Sequence, residues 1–223
     1  KKIVPALNLT RSLPPESITS RNNSMNVPAS IFKAYDIRGI IDETLNPQIA
    51  RAIGQAFGSQ MRDLGETDVV IGRDGRLSGP VLIEALTEGL LSTGINVIDL
   101  GMVATPMVYF ATHQTIGNCQ PKSGIMITGS HNPPNYNGFK MVLAGRAIYG
   151  AEIQALRHMM AAQSWTLRAG GAVRTVDVLP AYRERIVGDM AETISLLWPD
   201  PPGEKPPSPA LDEVVVQLSG LSR

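Results

Sequence analysis

Thr128-Gly129-Ser130-His131-Asn132-Pro133-Pro134, followed by Asn137-Gly138-Phe139-Lys140, concentrates a hydroxyl, an imidazole and an ammonium in one short stretch. A serine on a turn can act as a nucleophile or carry a phosphoryl group. A neighbouring histidine and lysine can move protons or neutralise charge. The preceding Gly124-Ile125-Met126-Ile127 reads as a short buried strand, and Asn-Pro-Pro lacks the N–H donors that a ladder needs. The chain must therefore leave the sheet there, which puts Ser130 at a strand's carboxyl end. Ligands of open α/β sheets bind at that edge, so Ser130 is a candidate phosphoryl acceptor and donor.

Other chemistries fit this set less well. Gly, Ser, Asn and Pro also favour turns for purely local backbone reasons. A serine hydrolase elbow would read Gly-x-Ser-x-Gly, and His131, adjacent to Ser130 in the chain, is badly placed to be its base. There is no Gly-x-x-x-x-Gly-Lys-Ser/Thr loop, and the spacing of Gly72, Gly75 and Gly79 does not match a dinucleotide fingerprint. His113 and His158 lie in helical patterns without ligand spacing to each other or to Cys119, and read as ordinary helix residues. Cys119 itself reads as a small, partly buried apolar residue.

The elements that must hold this loop alternate between helix and strand. From Asn46, with Pro47 in the first turn, Ile49, Ile53, Ala56, Phe57, Met61 and Leu64 fall on one helical face, and Arg51, Gln55, Gln60 and Arg62 fall elsewhere. Asp68 to Gly72 is a buried strand, and Pro80 to Ser92 a helix with Leu82, Ala85, Leu86, Gly89 and Leu90 inward. Ile95 to Leu100 is a strand, Thr105 to His113 a helix, Gly124 to Thr128 the serine strand and Phe139 to Leu143 a strand returning beside it. Ala151 to Ala162 and Pro180 to Met190 are further helices. This alternation predicts a three-layer α/β/α domain with a mixed, mostly parallel sheet.

Lysine plus arginine and aspartate plus glutamate number 20 each, for a formal net charge of zero. That balance argues against nucleic acid or an anionic membrane as partner. No segment is apolar for long enough to span a bilayer, and Lys1 to Leu7 lacks a secretory core. A single cysteine fits a reducing compartment, so the expected location is cytoplasmic.

Three ordered motifs resemble the α-D-phosphohexomutases, the family that includes phosphomannomutase and phosphoglucomutase. They are Lys33-Ala34-Tyr35-Asp36-Ile37-Arg38-Gly39, Gly72-Arg73-Asp74-Gly75-Arg76-Leu77-Ser78-Gly79 and the serine stretch, over roughly residues 30 to 145. Taken alone, Tyr35 to Arg38 reads equally as an edge strand with a surface ion pair, and Arg73, Asp74 and Arg76 as a solvated loop. The resemblance implies that Ser130 carries a phosphoryl group in the resting enzyme. It further implies that His131 and Lys140 serve as acid, base or charge-stabilising groups, that Tyr35 and Arg38 reach the same cleft, and that Asn132 shapes the loop. Arg38 would offer paired donors to phosphate oxygens. A magnesium ion would meet the protein through the phosphate on Ser130. The implied reaction interconverts the 1-phosphate and 6-phosphate of mannose or glucose through a hexose 1,6-bisphosphate. A non-catalytic sugar-phosphate-binding or assembly module derived from the family is the alternative.

The same resemblance implies a second domain with an Asp-x-Asp-x-Asp-Arg metal loop, which this sequence lacks. The expected organisation is therefore a disordered leader over 1–29, with Met25 as the natural start, and the first family domain over 30–178. A helix over 179–197 leads toward a missing second domain, and a proline-rich tail foreign to the family occupies 198–223. A truncated or frameshifted product, inactive by itself and open to self-association through an exposed domain interface, is the expectation. Val214 to Val216 would form an edge strand if a partner were present.

Overall fold

The computed structural model describes residues 26–197. The leader before Asn26, Met25, the proline-rich tail and the Val214–Val216 strand lie outside the described residues. Helix and strand alternate as the periodicity requires: β1 (Ile37–Ile40), α1 (Pro47–Asp63), β2 (Asp68–Arg73), α2 (Gly79–Leu91), β3 (Asn96–Met102), α3 (Thr105–Ala111), β4 (Ser123–Ile127), β5 (Tyr136–Leu143), β6 (Arg146–Ala147), α4 (Ala151–Ala162), β7 (Val173–Thr175) and α5 (Leu179–Leu197). A short 3-10 turn, Ala29–Ile31, precedes β1, and Val27 packs against the core just before it.

The strand order is β1-β5-β4-β2-β3-β7, with β6 pairing β5. β4, β2, β3 and β7 pair in parallel, whereas β5 is antiparallel to β1, β4 and β6. β5 is thus the one reversed strand among the described residues, and the carboxyl ends of β2 and β4 meet level at Arg73 and Ile127. Successive side chains of a strand point to opposite faces. Val69, Ile71, Ile125 and Ile127 accordingly join α1, α2 and α4 in one core, while Val70 and Met126 join α3 and Val178 in the other. The rings of Phe110 and Tyr182 meet edge to face, at 5.3 Å between centroids and 71° between planes, and tie the start of α5 to α3.

Asn46 caps α1 through its side-chain oxygen, which accepts from the Ile49 N–H at 3.0 Å. The single-face expectation for this helix needs two corrections. Gln55 is buried, whereas Leu64 is half exposed as the residue that ends the helix. α1 is covered on two sides, because α2 crosses it at glycines. A Cβ on Gly54 would fall against the Leu86 carbonyl oxygen and 2.9 Å from the Leu90 nitrogen, and one on Gly89 would meet the Arg51 carbonyl. Gly54→Ala is therefore expected to lower the urea midpoint. Overpacking costs about 1–3 kcal/mol against a gain of ~1 kcal/mol in helix propensity. An unchanged midpoint would mean that the two helices can separate freely. α3 stops at Ala111, two residues short of the expected end, and the strand expected over Phe139 to Leu143 starts at Tyr136, where β1 pairs with it.

Candidate functional site

β4 ends at Ile127, whose carbonyl accepts from the Asp74 N–H at 2.9 Å, so the loops after β2 and β4 leave the sheet side by side. Asp74 holds the first turn of the serine loop. Its Oδ2 accepts from Thr128 Oγ1 at 2.9 Å and from the Gly129 N–H at 3.0 Å, and its Oδ1 accepts from the Arg76 N–H at 3.1 Å. Thr128 Oγ1 in turn accepts from the Ser130 N–H at 3.0 Å. Ser130 sits at φ 53°, a left-handed conformation that a residue with a Cβ adopts only at a cost of about 1–2 kcal/mol. It is exposed, and its hydroxyl makes no hydrogen bond among the described residues. An unpaired hydroxyl on a strained backbone at the tip of a braced loop can meet a ligand from solvent.

Arg76 supplies the rest of the bracing. Its Nη1 donates to the carbonyls of Pro133 at 2.5 Å and Tyr136 at 2.9 Å, and its Nη2 to those of Ser130 at 3.2 Å and Asn132 at 2.7 Å. Nε lies 3.6 Å from Asp74 Oδ2. Gly129 is required here because a Cβ would overlap the guanidinium. Asn132 shapes the loop as expected, with its N–H and Nδ2 donating to the Gly129 carbonyl at 3.0 and 3.2 Å.

On the β1 side, Arg38 stands opposite Gly138, and Lys140 opposite Met126, on the sheet face that α3 covers further along. Arg38 Nη1 donates to the Gly129 carbonyl at 2.6 Å, and Nη2 to Asp36 Oδ2 at 2.5 Å. Lys140 Nζ lies 3.5 Å from the same carboxylate oxygen. The side chains of Arg38 and Asp36 are each only 12% exposed, so this is an edge strand whose ion pair is buried. Two cations share one acid next to the residue that precedes Ser130. Each Nη of Arg38 has one hydrogen without an acceptor among the described residues.

The structure does not bring every expected residue to the loop. Tyr35 is 75% exposed, because the Lys33 N–H donates to the Asp36 carbonyl and the tight turn directs Tyr35 outward. His131 is on the loop and exposed, with no hydrogen bond or ion pair among the described residues. His113 lies just past α3 and bonds locally, Nδ1 to the Tyr109 carbonyl at 3.0 Å, and His158 faces solvent on α4. Cys119 is partly buried beside the second core, with Arg174 Nη2 2.6 Å from its Sγ.

Asp36, Asp74, Arg76 and Thr128 carry the geometry, although the sequence reading gave none of them a site role; all four lie inside its motifs. Tyr109 carried no signal. Burial on α3, and secondarily the Asp36 carboxylate, push its phenol above the ordinary value of 10.0. Above pH 10 the unfolded chain gives up this proton first, so Tyr109 makes stability fall as pH rises through that range, and it contributes no pH dependence below it. Tyr109→Phe is expected to flatten the alkaline decline of the urea midpoint. An identical decline in both proteins would place Tyr109 outside this cluster.

Among the described residues no group of three or more His, Cys, Asp or Glu side chains could hold a metal ion. Asp74, the carboxylate bonded to the serine loop, is already engaged by Thr128, Gly129 and Arg76.

Residues 29–166 match the family model described as phosphoglucomutase/phosphomannomutase, alpha/beta/alpha domain I. The chain is 49% identical over 166 residues to a phosphomannomutase/phosphoglucomutase of Pseudomonas aeruginosa, covering 74% of this chain and 35% of that protein. It is 45% identical over 164 residues to a phosphoglucomutase of Neisseria meningitidis serogroup B, covering 73% and 35%. A crystal structure of a phosphoglucomutase/phosphomannomutase family protein from Burkholderia thailandensis superposes with a TM-score of 0.70 at 51% identity, covering 73% of this chain and 36% of that one. The chain thus spans about a third of the length of the curated relatives it matches.

Proposed function

Because this chain belongs to the phosphoglucomutase/phosphomannomutase family through its α/β/α domain I, we propose that Ser130 carries the phosphoryl group with which a phosphohexomutase interconverts hexose 1-phosphate and hexose 6-phosphate. One observation carries this reading: an exposed, unpaired hydroxyl held at φ 53° on a loop that two arginines and an aspartate brace from beneath. Such a loop contributes nothing to packing at its tip, and its conformation is maintained for what approaches from outside.

Phosphoryl transfer needs in-line placement and charge neutralisation more than covalent assistance. The transfer breaks the P–Oγ bond of phosphoserine, and Oγ takes up a proton. A P–O bond forms to the sugar hydroxyl, which loses one. Re-entry of the resulting hexose 1,6-bisphosphate in the opposite sense returns the other phosphate to Ser130. Lys140 and Arg38, tied through Asp36, supply positive charge beside Gly129, and exposed His131 is free to exchange a proton with solvent or substrate. A role for Tyr35 in binding requires substrate to extend past the turn at Lys33–Asp36. A magnesium ion would meet this chain through the phosphate on Ser130, since no group of three or more His, Cys, Asp or Glu side chains among the described residues could hold it. Mannose and glucose phosphates are the proposed substrates. No helix of the described residues is long and apolar enough to cross a membrane, and a cytoplasmic location accords with such substrates.

The test is transfer of label from hexose 1,6-bisphosphate, radiolabelled in its phosphates, to the full chain in the presence of magnesium. Label on Ser130 after peptide mapping is the expected result. Reversible binding of the bisphosphate without label would instead establish a sugar-phosphate-binding module.

A further inference from the structure

We infer that Arg76 is a positioning residue that draws the carbonyls of Ser130, Asn132, Pro133 and Tyr136 to one side of the serine loop and thereby leaves the Ser130 hydroxyl and the His131 N–H presented on the other. This deepens, and rests on, the reading of Ser130 as the phosphoryl carrier. The four carbonyls lie 2.5 to 3.2 Å from the two terminal nitrogens of one guanidinium. Four acceptors on four N–H bonds saturate both Nη atoms, so Arg76 has no terminal donor left for a phosphate. Its role is to shape the loop.

In a trans peptide the N–H points opposite to the C=O of the preceding residue. All peptide bonds of the described chain are trans. With the Ser130 carbonyl on Arg76, the His131 N–H is directed away from the guanidinium, and it has no acceptor among the described residues. Pro133 and Pro134 carry no N–H. The N–H groups of Ser130, Asn132 and Tyr136 are satisfied within the loop by Thr128 Oγ1, the Gly129 carbonyl and the Pro133 carbonyl. Of the backbone donors from Ser130 to Pro134, only that of His131 is uncommitted, and it adjoins the reactive hydroxyl. An N–H in that position meets a phosphoryl oxygen on Ser130 in the way that uncommitted backbone amides hold anions elsewhere. A lysine at 76 would bring three donors from a single nitrogen, which cannot span four carbonyls arrayed around a planar fork.

The experiment compares the full chain with Arg76→Lys and Arg76→Ala, each with and without added ethylguanidinium. Two quantities are read: amide exchange over residues 129–137, and the rate of label uptake from radiolabelled glucose 1,6-bisphosphate with magnesium. In Arg76→Ala the Asn132 and Tyr136 amides are expected to lose protection while those of Val70 and Ile125 in the sheet keep theirs, which separates a loosened loop from an unfolded chain. Label uptake is expected to fall about 100-fold, the scale on which misplacing reacting groups by an ångström acts. Ethylguanidinium should restore both quantities. Arg76→Lys should resemble Arg76→Ala. An Arg76→Lys chain with wild-type protection and uptake, or an Arg76→Ala chain whose loop amides stay protected, would overturn the inference. If the wild-type chain takes up no label, the assignment of Ser130 fails, and exchange over the loop still decides the role of Arg76.

Discussion

Ser130→Ala is expected to abolish label uptake while the urea midpoint stays where it is. The hydroxyl has no partner among the described residues, so its removal leaves no buried donor or acceptor unsatisfied. Surface substitutions of this kind stay within about 0.5 kcal/mol. The left-handed backbone is kept, because alanine carries the same Cβ as serine. A loss of label with unchanged stability separates a phosphoryl carrier from a residue that merely shapes the loop. Residual label on the alanine variant, mapped to Ser78 or Ser123, would move the acceptor elsewhere and sink the assignment.

Asp36→Asn is expected to have the largest effect on stability of any single change around the site. One carboxylate oxygen faces both the Arg38 guanidinium and the Lys140 ammonium, and its side chain is only 12% exposed. Asparagine keeps the shape and a hydrogen-bond acceptor but removes the only negative charge that is ion-paired with these two cations among the described residues. Breaking a buried pair by removing one partner costs roughly 3–5 kcal/mol, and the lower end applies because Lys140 reaches solvent. The loss should also slacken the Arg38 contact to the Gly129 carbonyl and slow label uptake. In Asp36→Asn/Lys140→Met the second change removes one of the two unpaired cations, so the double variant should recover at least about 1 kcal/mol relative to Asp36→Asn alone. A midpoint for Asp36→Asn indistinguishable from wild type would show that the pair is solvated.

The helices and strands could be read from local information because each depends on residues close together in the chain. Asn46 and Pro47 start α1, alternation of apolar residues sets the strands, and Asn132-Pro133-Pro134 ends the serine strand for want of N–H donors. The exit of Ser130 at a carboxyl edge follows from that alone, as does the layered α/β/α architecture. The bracing of the loop is of another kind. Asp74 meets Thr128 and Gly129 across 54 and 55 residues, Arg76 reaches carbonyls 54 to 60 residues away, and Arg38 bonds Gly129 across 91. A guanidinium bonding backbone carbonyls leaves no complementary side chain in the sequence to reveal the pairing, so Arg73, Asp74 and Arg76 read as a solvated loop. Gly129 looks like a turn residue until Arg76 is seen where its Cβ would stand. α1 likewise shows one apolar face in the sequence, and only the crossing of α2, with Gly54 against Gly89, covers a second. The residue types of Ser130, His131 and Lys140 point to the chemistry proposed for them; the exposure of Tyr35 and the burial of Asp36 depend on how one turn before β1 closes, which only the packed sheet decides.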